Sequence, residues 1–307
     1  MLPHNKSVFQ PLTGVYEPSA IQQLPDGVFL VVEDEKAFPF SLLSIAADGS
    51  ISSVPLGSGL AESGDALAKV ADLEGVTLDR AGFIYATTSH SRNADGDEKK
   101  SRDKLVRFRI EDNNPVAPMV VSGLKPALIA AHPVLAVAAG IRDVKTGGGL
   151  NIEALEISPE QSLLIGFRSP LLDRKAIIAC LENPAAIFES GEAPRISPTL
   201  VTLDLDGNGI RGMSYLPSLG GYLLISGPVG RDEEHCQLWF WRGQPGGDQA
   251  RRVTVDGLPG FAHAEGICPA VIAGQQRIVV VSDDGNREEG RCAGYLLLAP
   301  EQLQIAA

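Results

Sequence analysis

Asp72-Leu73-Glu74-Gly75-Val76-Thr77-Leu78-Asp79-Arg80-Ala81-Gly82-Phe83-Ile84-Tyr85-Ala86-Thr87-Thr88-Ser89 reads as an acidic residue, a short apolar strand, a tight turn and a second apolar strand with a polar end. The pattern recurs. Glu17-Pro18-Ser19-Ala20-Ile21 leads through Pro25-Asp26-Gly27 into residues 28–32, and Glu153-Ala154-Leu155-Glu156-Ile157 leads through Pro159-Glu160-Gln161 into residues 163–167. Arg211-Gly212-Met213-Ser214-Tyr215 and Glu265-Gly266-Ile267 open two further copies. The copies start at 17, 74, 153, 211 and 265, in steps of 57, 79, 58 and 54 residues. Joining the end of the chain to its beginning gives 59, so the repeat closes on itself.

A third apolar segment follows each hairpin, and a fourth follows in several copies, at 51–56, 116–121, 199–203 and 252–255. Four-stranded units repeated about an axis are propeller blades, and this period suits them. The expected fold is all-β: a five-bladed β-propeller over residues 1–307, with a six-bladed ring as the alternative. Residues 8–12 are expected to supply the missing strand of the last blade and close the ring. The long second step holds residues 126–149, which predict a short helix or apolar loop before a glycine turn. Residues 58–69, rich in Gly, Ala and Ser, predict an exposed connection.

Thirty-eight acidic against 26 basic residues give a formal charge of -12. Binding a phosphate backbone needs clustered Lys and Arg, so nucleic acid is not an expected partner. No apolar run approaches the length of a membrane span and the N-terminus lacks a signal-like apolar core, which points to the cytoplasm. Cys180, Cys236, Cys268 and Cys292 fit no compact metal pattern. Neither a dinucleotide fingerprint nor a phosphate loop is present, so no nucleotide cofactor is expected. No Gly-x-Ser-x-Gly elbow marks a serine nucleophile. Asp204-Leu205-Asp206-Gly207-Asn208-Gly209 imitates a calcium loop, but Tyr215 occupies the place of the closing Glu, and a turn is expected there.

If the first strand of each blade lines the channel, its first residue and the last residues of the second strand meet at one rim. That rim gathers Glu17, Glu74, Glu153, Arg211 and Glu265, with Glu33 or Asp34, His90, Arg168, and Asp283 or Asp284. His263 and Asn151, two residues before their glutamates, reach the same place. Converging glutamates repel, and a hard cation would compensate, which makes Glu17, Glu74, Glu153 and Glu265 candidate Ca²⁺ ligands. The competing reading has each glutamate accept backbone N–H groups of the next blade and stitch the ring. Residues that break the repeat, His90, Arg211, His263 and Asp283, are the catalytic candidates. Together they suggest a metal-dependent hydrolase of phosphoesters or lactones, with a small anionic molecule as ligand. The alternative is a non-catalytic scaffold that binds a ligand or a protein partner. The charged loop 92–103 is either a solvated flap or a lid over the mouth.

Asn151-Ile152-Glu153-Ala154-Leu155-Glu156-Ile157-Ser158-Pro159, followed by Leu164-Ile165-Gly166-Phe167-Arg168-Ser169-Pro170, resembles the signature of a bacterial β-propeller family, a domain of unknown function. The Glu-Gly and Glu-Ala pairs that open the inner strands are similar in outline to those of esterase-like phytase domains. The resemblance implies the propeller fold over nearly the whole chain and carries no catalytic residues across.

Overall fold

In the computed structural model, residues 8–34, 39–56, 67, 70–142, 148–230, 235–244, 249–258 and 260–306 are described. The repeat becomes five antiparallel sheets. Blade I holds β2 (Pro18–Gln23), β3 (Phe29–Glu33), β4 (Phe40–Ile45) and β5 (Ile51–Pro55), after a short β1 (Gln10–Pro11). Blade II holds β6 (Leu73–Leu78), β7 (Ile84–Thr88), β8 (Leu105–Glu111) and β9 (Asn114–Val121). Two helices, α1 (Leu124–Ala131) and α2 (Pro133–Gly140), account for the long second step. Blade III holds β10 (Asn151–Ile157), β11 (Leu163–Ser169), β12 (Ala176–Leu181) and, after α3 (Pro184–Glu189), β13 (Val201–Leu203). Blade IV runs β14 (Gly209–Leu216), β15 (Gly221–Gly227), β16 (Gln237–Trp241) and β17 (Arg251–Val255). Blade V has β18 (Ala264–Ile272), β19 (Gln275–Ser282) and β20 (Gly294–Leu298).

The N-terminal β1 pairs with β20, Gln10 opposite Tyr295, and so completes blade V. This is the expected closure. Residues 303–305, to which no strand is assigned from sequence, form β21, which adds to the outer edge of blade IV through Val253 opposite Ile305. The chain's two ends therefore tie different blades.

Turn chemistry sets each hairpin. In blade II the Asp79 carboxylate accepts the N–H groups of Ala81 (2.9 Å) and Phe83 (2.8 Å), while Gly82 takes φ +81°. The second strands β3, β7 and β15 are buried at every position, as strands covered on both faces must be. Apolar side chains form five clusters, one in each seam between neighbouring blades. Leu30, Val32 and Phe40 meet Val76, Ile84 and Phe108 between blades I and II, for example, and Ile21, Phe29 and Val31 meet Val279 and Val281 between V and I. Five seams close the ring, so the six-bladed alternative falls. Of residues 58–69, only Leu67 is described, and it is buried in the blade I–II seam rather than exposed.

The Asp204–Gly209 segment is a turn. Asp204 Oδ1 accepts the Asp206 N–H at 3.2 Å, and Asp206 and Gly207 take φ +58° and +77°. Among the described residues no helix is long and apolar enough to cross a membrane.

The innermost strands carry two recurring devices. Each has a β-bulge near its start, with pairing that skips from Pro18 to Ala20, Leu73 to Gly75, Ile152 to Ala154, Ile210 to Gly212 and Ala264 to Gly266. The skipped residues are Ser19, Glu74, Glu153, Arg211 and Glu265. Three residues further on, a side chain accepts a backbone N–H of the next blade. Thr77 Oγ1 takes Ile157 N (3.0 Å), Glu156 Oε1 takes Tyr215 N (3.0 Å), and Cys268 Sγ takes Gln23 N (3.1 Å). In blade V the matching recipient position is Pro269, which has no N–H to satisfy. At these three seams the second tier stitches side chain to backbone, while in the bulge tier Arg211 ties blades III, IV and V through Glu153 and Glu265.

Candidate functional site: the acidic and arginine-lined mouth

A bulge leaves one residue unpaired and re-aims its side chain. Here it turns five side chains into an open cavity of about 370 Å³ at one mouth of the ring. The blade I residue at this place is Ser19, not the expected Glu17, because the bulge falls two residues later. Glu17 does not line the cavity; its carbonyl accepts the Asp34 N–H at 3.1 Å. Glu33 also points away, with its carboxylate taken by Tyr16 N (3.0 Å) and the Ser41 hydroxyl (2.8 Å). Asp34 is the blade I acid on the cavity wall.

The residue after each bulge is Gly or Ala because neighbouring inner strands touch there. A Cβ on Gly75 would lie 2.8 Å from Leu155 N, and one on Gly266 would lie 3.0 Å from Ala20 Cα. This is the physical content of the Glu-Gly and Glu-Ala pairs: bulge for the acid, smallness for the seam.

The cavity has two halves. On the side of blades III to V, Glu153 is 5% exposed and held by Arg168 Nη1 (3.0 Å) and Asn151 Nδ2 (2.8 Å) on Oε1. Arg211 Nε stands 3.6 Å from Glu153 Oε2, and the same guanidinium pairs with Glu265. Arg168 is fixed further by the carbonyls of Pro228 (2.9 Å) and Gly230 (3.2 Å). Asp283 completes this half at the rim. Burial raises its pKa, against the pull of Arg211 and His263 and with help from Asp284 and Glu153; solvent reaching it through the mouth moderates the effect.

On the side of blades I and II, carboxyls outnumber arginines. Asp72 is buried in the left-handed region, φ +67°, a conformation that Asp tolerates. Arg102 Nη2 holds its Oδ1 at 2.9 Å, and the Ser89 hydroxyl donates to Oδ2. Asp34 hydrogen bonds to Asp72, and its pKa rises to about 7, first through burial and then through the charge of Asp72, with Arg102 opposing. Glu74 rises well above the usual carboxylate range. Burial is the main cause, the charges of Glu153, Asp72 and Asp34 add to it, and Arg211 opposes. Glu74 therefore faces the cavity as a carboxyl that holds its proton more tightly than usual.

Among the described residues no group of three or more His, Cys, Asp or Glu stands in metal-holding geometry. Arg211 and Arg168 take up Glu153 and Glu265, two of the four glutamates expected to ligate Ca²⁺, and Glu17 lies off the wall.

His90 does not line this cavity. Its ring is buried, with Nδ1 2.9 Å from Asp103 Oδ1 and Nε2 3.2 Å from Thr87 Oγ1. The hydrogen bond to His90 holds Asp103 below the usual carboxylate range, and the Thr87 hydroxyl beside Nε2 also donates to the Thr88 carbonyl at 3.2 Å. His90 anchors the foot of loop 92–103. That loop lies against the mouth and brings Arg92, Ala94 and Arg102 to the wall. His263, φ +57°, occupies the place in blade V that Asp72 holds in blade II; its carbonyl takes the Asp283 N–H at 2.8 Å, and it too is absent from the wall. Sequence reasoning places Glu74, Glu153, Arg168, Arg211, Glu265 and Asp283 together, as the structure does. It misses Asp72, although that residue heads the repeat, and Ser91 and Arg102, which a loop delivers.

Residues 141–294, half of the chain, match the model of the DUF3616 family, described as a protein of unknown function. The chain belongs to the DUF3616 family. Its likeness to esterase-like phytase domains goes no further than the Glu-Gly and Glu-Ala pairs. No curated protein sequence matches the DUF3616 chain. Among solved structures, a GH43_1 enzyme from Xanthomonas citri is similar with a TM-score of 0.52 at 11% identity, covering 97% of this chain and 94% of that one. A putative oxidoreductase (glucose dehydrogenase) from Thermus thermophilus gives 0.48 at 14%, covering 95% and 99%. A gluconolactonase from Xanthomonas campestris gives 0.40 at 11%, covering 97% and 86%. At these identities the likeness concerns the fold.

Proposed function

We propose that the DUF3616 chain is a hydrolase of small polar esters, with lactones and phosphoesters as the substrate classes, and that the mouth cavity is its active site. The observation that supports this most is the placing, on one wall, of Glu74, a carboxyl with a raised pKa, beside arginines already fixed in place. Ester hydrolysis needs a proton for the leaving oxygen and positive charge where the carbonyl or phosphoryl oxygen becomes negative. Glu74 supplies the first. Arg102, Arg168 and Arg211 supply the second, and their ion pairs spare them reorganisation during the reaction.

The alternative, a non-catalytic binding scaffold, is favoured by the engagement of Arg168 and Arg211 with Glu153 and Glu265, which leaves each guanidinium already partnered. Turnover of δ-valerolactone, p-nitrophenyl acetate and p-nitrophenyl phosphate separates the two. The hydrolase reading expects turnover of at least one, reduced by roughly 100-fold or more in Glu74→Gln with no loss of melting temperature. No turnover of any of the three leaves the scaffold.

Calcium supplies charge stabilisation in the metal-dependent form of this reading, a role that Arg102, Arg168 and Arg211 on the same wall can take without it. Calorimetric titration of chelator-treated protein with calcium is accordingly expected to give no saturable heat. One ion bound per chain, lost in Glu74→Gln, would restore the metal-centred site.

A further inference from the structure

Ser91 sits on the cavity wall in the blade I–II half, and its hydroxyl is the near end of a chain of hydrogen bonds. Ser91 Oγ has two acceptors in reach, Ser89 Oγ at 2.9 Å and the Arg92 carbonyl at 3.2 Å, and Ser89 donates to Asp72 Oδ2. The backbone holds this line, since Ser91 N donates to Ser89 Oγ at 3.1 Å and Ser89 N to Asp72 O at 3.0 Å. Arg102 binds both ends: Nη1 donates to Ser91 Oγ at 3.1 Å and Nη2 to Asp72 Oδ1 at 2.9 Å. Ser89 is buried, Asp72 is 8% exposed at the edge of the cavity wall and Ser91 is half-exposed, so the relay runs from the open space through a buried hydroxyl to a largely buried carboxylate. A nucleophile hydrogen bonded to a base that a third group orients is the general arrangement for covalent catalysis.

We infer that Ser91 is the nucleophile of the mouth cavity, with Ser89 passing its proton to Asp72 and Arg102 steadying the oxygen as it gains charge. This rests on the hydrolase reading and names its attacking group. Ser91 Oγ forms a bond to the acyl carbon while its proton moves to Ser89 and the Ser89 proton moves to Asp72. The bond to the leaving oxygen breaks, its electron pair departs with that oxygen, and Glu74 gives it a proton. Water then attacks the acyl-Ser91 ester and loses a proton to Glu74. Ser91 leaves as its proton returns from Asp72 through Ser89. The net change is ester plus water to acid plus alcohol, with every side chain restored.

Methanesulfonyl fluoride is small enough for the cavity and traps such a serine as a sulfonate ester with loss of fluoride. Mass spectrometry is expected to find one adduct, on Ser91, and none in Ser91→Ala. The labelling rate falls roughly 100-fold in Ser89→Ala and is regained in Ser89→Thr, which keeps the hydroxyl, with melting temperatures unchanged. An unlabelled chain, an adduct on another residue, or Ser89→Ala reacting at the wild-type rate overturns the inference. Ester turnover that survives in Ser91→Ala also overturns it while the hydrolase reading stands. Labelling of Ser91 with no ester turnover supports the relay and removes the hydrolase reading instead.

Discussion

Gly212→Ala will destabilise the protein by at least about 3 kcal/mol, a large cost for a single added methyl group. Gly212 follows the blade IV bulge, and its α-carbon lies against the backbone carbonyl of Glu265 in the next inner strand. A Cβ built there falls well inside van der Waals contact with that carbonyl oxygen. The obstacle is backbone on both sides, so no rotamer change relieves it; the seam between blades IV and V must open. Opening it exposes a cluster that includes Leu223, Ile225, Ile278 and Val280, each essentially buried, and displaces Arg211 from Glu265. Denaturant unfolding measures the loss. Ala154→Gly is the control, because blade III already carries alanine at the matching place, and it should cost only about 1 kcal/mol. A Gly212→Ala protein that melts with the wild type would show that the seams yield easily and that closeness does not explain the small residue.

The same close approach of inner strands makes the fold readable from sequence. The acid-small-apolar opening of each inner strand reports two physical needs at one place, and it survives even where blade IV has Arg-Gly and blade I has Ser-Ala. Strands β3, β7 and β15 stand out as unbroken apolar runs. The closing strand at 10–11 follows from counting. What escapes are elements whose stability comes from neighbours rather than their own pattern. β21 is three residues long and exists because β17 offers an edge, and α3 is only six residues long. Glu17 draws the eye before Ser19 because an acid is expected at every bulge, and only the register of β2 with β3 shows which residue is unpaired.

The site is half legible for a similar reason. Residues on the inner strands can be placed by periodicity, so Glu74, Glu153, Arg211 and Glu265 fall together. Ser91 and Arg102 arrive from a loop whose path depends on His90 bonding to Asp103 and on Arg92 donating to Ala139 O at 3.2 Å, and Asp72 gains its role from meeting them. Sequence spacing carries no trace of such contacts. His90 stands out in the sequence as the lone histidine at a strand end; the structure turns its ring into the protein, where it serves the loop.

Glu156→Gln is expected to stabilise the protein, and by an amount that depends on pH. Glu156 is 7% exposed in the second tier, accepts Tyr215 N–H on Oε1, and has the Thr77 hydroxyl 3.2 Å from Oε2. Its pKa rises to about 8 because burial outweighs those two hydrogen bonds, while in the unfolded chain it ionises near 4.5. Between these values the folded state holds a proton that the unfolded state has released. Wild-type stability therefore falls as pH climbs from about 4.5 and levels off above about 8. Glutamine keeps an oxygen for Tyr215 and offers an amide donor to Thr77, without a proton to bind. Its advantage over the wild type should be near zero at pH 4 and on the order of 4 kcal/mol at pH 9. Melting curves of both proteins across that range test it. A constant difference would mean that Glu156 ionises alike folded and unfolded. A growing one would establish that the ring carries a protonated acid at its axis, three residues below the acids of the mouth, and that burial without a counter-charge keeps it so.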